Sequence, residues 1–145
     1  MYGTIAGGDT YFTTRLNITP WSGATDANKT AALTMSSAAI DRLNFVGELA
    51  DEDQAAQFPR GDDTTVPDAI TNACYENSLS LLDDVDPEYE AEIMRMSTMS
   101  FGSVKNTYDL VRTPMHFLHG IASGAAWLLI KPFLRDANTI NLRRV

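Results

Sequence analysis

Three features of this chain predict a mainly α fold: a small helical bundle with a short extended or β-hairpin piece around residues 93–110 and an extended C-terminal arm. Apolar residues recur at helical spacing behind recognisable helix starts, that stripe is lost around Gly102-Ser103, and a basic tail follows Lys131-Pro132. At 145 residues and 44% hydrophobic side chains the chain can bury one ordinary core. It therefore reads as a helical domain over residues 1–130 with an acidic loop at 47–65, and an arm over 131–145.

Taken in order, Asp9 after Gly7-Gly8 is an available N-cap for a short amphipathic helix carrying Tyr11, Phe12 and Leu16 and ending near Asn17. Gly7-Gly8 reads as a hinge into that helix. Thr25 caps a longer helix with Asp26 in its first turn, where the helix dipole favours negative charge. Its apolar positions Leu33, Ile40 and Leu43, flanked by Ala32, Met35 and Ala39, run at helical spacing through Phe45. Gly47 to Thr65 has little apolar periodicity and reads as a loop long enough to be functional. Val66-Pro67-Asp68 opens the next helix, with Pro67 at its first position and Ile70, Ala73, Cys74, Leu81 and Leu82 as its buried stripe. Asp86-Pro87 breaks it. Ile93 to Leu110 divides into two extended pieces with a turn at Gly102-Ser103. Pro114 begins a mixed stretch, and Ala122 to Leu134 is helical, with Trp127, Ile130 and Leu134 at helical spacing.

Charge is distributed unevenly. Residues 1–104 carry 5 Lys+Arg against 17 Asp+Glu, whereas residues 105–145 carry 6 against 2. A formal net charge of −8 works against binding nucleic acid as a compact basic domain, because affinity for phosphates comes mainly from Lys and Arg releasing counterions. The tail, with Ile140, Asn141, Leu142 and Arg143 in alternation, reads as an arm for a neighbour. No basic and apolar leader is visible at the N-terminus, so no export is expected, and the apolar window Ile121 to Ile130 is too short for a membrane span.

Candidate chemistry is sparse. Cys74 is the one cysteine, so no disulfide or thiolate zinc set is possible within the chain, and it reads as a small buried helix residue. His116 and His119, three apart, have a spacing that metal sites use, yet a further ligand would have to come from elsewhere. The acidic groups Asp51 to Asp53 and Asp83 to Glu92 do not follow the pattern of a calcium loop and read as solvated faces; such a face could also line a path for DNA. No serine elbow, phosphate loop or Cys-His pair is present, so no catalytic residue is expected. Gly7-Gly8 before a helix could hold an anion. Tyr2, Tyr11, Phe12 and Trp21 could stack on single-stranded bases, but only Arg15 and Lys29 lie near them, and core packing is the better reading.

In order, Tyr2-Gly3-Thr4-Ile5, Asp9-Thr10-Tyr11-Phe12, Arg15-Leu16-Asn17, Trp21, Lys29 to Leu33, Ile40 to Leu43, Phe58-Pro59-Arg60, Val66-Pro67 with Ile70, Ala73 to Glu76, Leu81-Leu82, Gly102-Ser103-Val104, Tyr108 and Leu128 to Leu134 form a pattern over most of the chain. It resembles a family of tailed-phage head-tail connector proteins, some members of which are labelled DnaT-like single-stranded DNA-binding proteins. The chain departs from that pattern at Asn106-Thr107 and in a longer Leu110 to Ser123.

The resemblance implies a non-enzymatic adaptor, without cofactor, metal or membrane, made in the host cytoplasm and placed in the virion neck. Copies of itself, typically twelve, would form a ring below the portal protein. That ring would extend the channel through which DNA passes without sequence-specific binding and dock the next tail or nozzle protein. The arm would reach the portal, with Pro132, Phe133, Leu134, Ile140, Leu142 and Val145 as apolar contacts and Lys131, Arg135, Arg143 and Arg144 as charged ones. Asp51, Glu52, Asp53, Asp62 and Asp63 would face the channel or an interface. A single-stranded DNA-binding accessory protein is the alternative, and an acidic mimic that binds a host protein is a weaker third.

Overall fold

The computed structural model describes residues 1–95, 98–101, 103–107 and 113–135. Helix α1 (Ile5–Tyr11) starts at Thr4, whose hydroxyl accepts the Gly7 N–H at 3.1 Å, and passes into a 3-10 turn over Phe12–Thr14. Asp9, expected as the cap, lies inside the helix because Trp21 and Lys29 occupy its carboxylate. Leu16, expected on the buried face, is 84% exposed. The two glycines are not a hinge: they are helical, and a Cβ on Gly8 would lie 2.4 Å from Cζ2 of Trp21. Glycine there is a condition of close packing.

Helix α2 (Thr19–Ser22) carries Pro20 in its first turn and buries Trp21. Thr25 caps α3 (Asp26–Asp41) by accepting the Asn28 N–H at 3.3 Å, as expected. The helix stops at Asp41, short of the expected Phe45; Phe45 instead turns away to bridge Leu134. Its buried stripe is Ala32, Leu33, Ser36, Ser37, Ala39 and Ile40, while Met35 points to solvent.

Residues 47–65 form the expected irregular loop, entered at Gly47 (φ +86) and closed by an isolated Leu49–Arg60 bridge. Helix α4 (Asp68–Leu82) follows with Pro67 at the N-cap, one position before the expected site, and Asp68 in the first turn. It is the central helix, packing against α3 on one side and against the last helix on another.

The Asp86-Pro87 break is also a start. Helix α5 (Pro87–Arg95) begins there, with the Asp86 carboxylate accepting the Glu88 N–H at 3.0 Å and Glu88 and Glu90 at its positive end. The following strands β1 (Thr98–Phe101) and β2 (Val104–Thr107) form an antiparallel hairpin inside the expected stretch, with Thr98 opposite Thr107 and Phe101 opposite Val104. Ile93–Arg95, expected to be extended, instead continue α5, and Gly102 and residues 108–110 lie outside the described residues. A single turn, α6 (Met115–Leu118), precedes α7 (Gly124–Ile130), which Ser123 caps through the Ala126 N–H. The last helix is shorter than expected: a 3-10 turn over Lys131–Phe133 replaces the α-helix where Pro132 has no N–H to give.

The core joins Phe12, Trp21, Leu33, Ile40, Phe45, Ile70, Ile121 and Ile130, all at most 2% exposed. Each such side chain contributes about 1.5–3 kcal/mol by leaving water. The structure is thus a small helical bundle, with its polar buried groups tied across helices: Ser36 Oγ accepts from Asn77 Nδ2 at 3.0 Å and from the Ser78 hydroxyl at 2.9 Å.

Candidate functional site

The aromatic group near the N-terminus is a packing unit. Phe12 and Trp21 are each 1% exposed, with ring centroids 5.1 Å apart, and Tyr11 and Tyr75 pack with them. Both nearby cations are occupied. Lys29 Nζ meets Asp9 at 2.9 Å over the Trp21 ring, and Arg15 meets the buried Glu76 at 2.9 Å. Asp9 also accepts the Trp21 indole N–H at 2.8 Å, and these bonds, the indole first, hold its carboxyl below the usual range. Tyr11 donates to Glu76 at 2.9 Å; burial, then that bond, pushes its phenol up to about 12.

Tyr2 fastens the N-terminus to the loop. Its hydroxyl donates to Asp41 and accepts the Gln57 N–H at 2.9 Å, and its ring meets Phe58 edge-on. Burial first, then the Asp41 carboxylate, raises the phenol above its ordinary range, so it stays protonated.

In the loop, Arg60 donates Nε to the Val46 carbonyl at 3.0 Å and Nη1 to Gln57 Oε1 at 2.9 Å, reaching the Gly47 carbonyl as well. Gln54 Nε2 donates to the carbonyls of Ala56 and Pro59. This internal frame leaves Asp51, Glu52, Asp53, Asp62 and Asp63 all exposed on one loop.

The expected arm begins on the body. Phe133 packs edge-on against Phe58 at 5.8 Å, its carbonyl accepts the Val46 N–H at 2.9 Å, and the Arg135 N–H reaches the Asn44 carbonyl at 2.9 Å. Phe133 and Leu134 are partly buried, whereas Lys131, Pro132 and Arg135 are exposed. An extended segment from Lys131 was expected; the chain keeps residues 131–135 folded against its own core because Phe133 and Leu134 complete the apolar cluster of Phe45 and Phe58. Ile140, Leu142, Arg143, Arg144 and Val145 lie outside the described residues.

The two histidines have separate partners. His116 Nδ1 donates to the Ile121 carbonyl at 2.9 Å, and His119 stacks on Trp127 with ring centroids 5.1 Å apart. Among the described residues no three His, Cys, Asp or Glu side chains could hold a metal together. Cys74 is fully buried, and burial pushes its thiol up. No described helix is long and apolar enough to cross a membrane.

An open groove of about 1110 Å³ lies between α3, the end of α4, α5 and α6. Ala31, Met35 and Ala38 of α3 and Phe117 and Leu118 of α6 line it, together with the exposed Asp84, Asp86, Glu88 and Glu92. Sequence reasoning did not anticipate it, because Asp86-Pro87 was read only as a break and no helix was expected at α5.

A family model described as "Putative DnaT-like ssDNA binding protein" matches residues 1–144. No curated protein and no solved structure matches.

Proposed function

We propose, from the premise that the chain belongs to the family of putative DnaT-like ssDNA binding proteins, that its own work is structural: a head-to-tail adaptor of a tailed phage. In this reading copies form a ring below the portal in the virion neck, the ring extends the DNA channel, and it presents a platform to the next tail component. The connector-like order of motifs supports it. The single observation that carries it is the condition of the aromatic cluster: rings suited to base stacking are spent on the core, and Lys29 and Arg15 beside them are neutralised by Asp9 and Glu76. A single-strand site needs both a stacking platform and free cations.

Residues 136–145 are then the segment left to reach the portal, since Phe133 and Leu134 are packed on the body and only Lys131, Pro132 and Arg135 of residues 131–135 remain exposed. The acidic loop suits a channel lining, because like charge keeps phosphates from sticking. Deleting residues 136–145 leaves the described helices folded and abolishes co-sedimentation with portal rings; a truncated protein that still co-sediments removes the arm from the reading. The family description favours the second reading, single-stranded DNA binding. It requires oligonucleotide binding that weakens steeply with salt. A titration at low salt decides between them: tight, salt-sensitive binding by the purified protein overturns the adaptor as sole function.

A further inference from the structure

Two separate exposed surfaces of this molecule complement each other. The first is the groove beside α3, where Met35 is 59% and Leu118 42% exposed, and where Ala31 and Ala38 leave room for a close approach. Its edge carries Asp84, Asp86, Glu88 and Glu92, against Arg42 as the one cation among its described lining residues. The second is a ridge on the outer side of α7 and the turn after it. Ala125, Leu128, Lys131 and Pro132 are exposed along it, with Arg135 next, and Leu128 is 71% exposed. No α7 residue lines the groove, so one copy can present both surfaces at once.

We propose that the groove of one copy receives the α7 ridge of a second copy. Small side chains at Ala31 and Ala38 let a helix approach, and Leu128 would leave water against Met35 and Leu118. Lys131 and Arg135 would then meet the acidic edge. Charge decides the occupant: a protein of net −8 repels its copies unless contact sets cations such as Lys131 and Arg135 against an acidic face. The same charges reject groove-to-groove pairing, leaving a head-to-tail interface, the kind that closes into a ring when its rotation allows. The inference rests on the ring-forming reading and adds the surfaces that would make the ring.

Sedimentation velocity on the full chain, without portal, tests it. One variant reverses the groove edge (E88K/E92K), one reverses the ridge (K131E/R135E), and one spoils the apolar contact (L128D); all five positions except Arg135 sit on helical turns, and all are exposed. Wild type self-associates as concentration rises, and each variant alone does so roughly ten-fold more weakly. An equal mixture of the two charge variants regains wild-type association, because each supplies the surface the other lacks. L128D, whose groove is intact, pairs with E88K/E92K, whose ridge is intact, and is not rescued by K131E/R135E, which damages the same ridge. Neutral versions, E88Q/E92Q and K131Q/R135Q, replace any charge variant whose circular dichroism shows lost helix. A wild-type protein that stays monomeric, charge variants that associate like wild type, or a mixture no better than its components overturns the proposal. A monomer that still co-sediments with portal rings sinks this interface and spares the adaptor; a ring that ignores the portal does the reverse.

Discussion

The side-chain oxygen of Asn77 accepts the backbone N–H of Ala122 at 2.8 Å, across 45 residues of chain, and the Ser123 N–H at 3.3 Å. Its amide nitrogen meanwhile donates to Ser36. One buried side chain on the central helix thus ties α3 to the segment that starts α7.

Asn77→Ala leaves two backbone N–H groups near the start of α7 without that acceptor, in a site that is 1% exposed. A loss of about 2–4 kcal/mol follows from unsatisfied buried donors together with the cavity. Urea denaturation measures it, and Ser36→Ala, which removes one acceptor, is the milder companion at about 1 kcal/mol.

Glycine substitutions in two helices should act with opposite sign. Gly8→Ala forces a methyl against Trp21 and destabilises by about 1–3 kcal/mol, although alanine is the better helix former. Gly124→Ala meets nothing closer than His116 Nε2 at 3.6 Å and stabilises α7 by up to about 1 kcal/mol. Thermal melts of the pair give the comparison.

Arg60→Lys keeps the charge but loses the planar fork that holds the loop carbonyls of Val46 and Gly47. Global stability falls by about 1–2 kcal/mol. Amide exchange accelerates selectively at Ala50 and Gly61, whose N–H groups bond to Pro59 and Glu48 across the loop neck.

Alkaline stability follows the raised phenol of Tyr11. A folded-state value above the unfolded one means its contribution is present below about pH 10 and is lost as pH rises through about 12. Tyr11 is partly exposed, so solvent screening keeps the slope well under the ~1.4 kcal/mol per pH unit of a single group. Urea midpoints between pH 8 and 12 therefore fall more steeply for wild type than for Tyr11→Phe; parallel curves would refute the assignment.

Legibility in the sequence tracked the range of the forces involved. The start of α3 was readable because Thr25 and Asn28 are three residues apart, and the hairpin because Gly102-Ser103 interrupts a stripe. Helix α5 was hidden: Pro87 signals an ending and a first helical position equally, and within the helix Ala91 is the one buried side chain among those described. The cap of α1 was misplaced because two donors from other elements, Trp21 and Lys29, claimed Asp9. At the candidate site, the stickiness of Phe133 and Leu134 was plain, but not the surface it serves. Phe45 and Phe58 lie some ninety and seventy-five positions earlier in the chain, and no local pattern connects them.

The attachment at residues 133–135 also sets how the molecule bears force. A pull applied at Arg135 falls first on the Arg135–Asn44 and Val46–Phe133 backbone bonds, then on the Phe133 ring wedged at Phe58. Tension applied at the C-terminal side is therefore delivered to the exit of α3 and to the loop held by Tyr2, far along the chain from where it is applied. The body would yield there, by peeling this clasp, before the helices themselves separate.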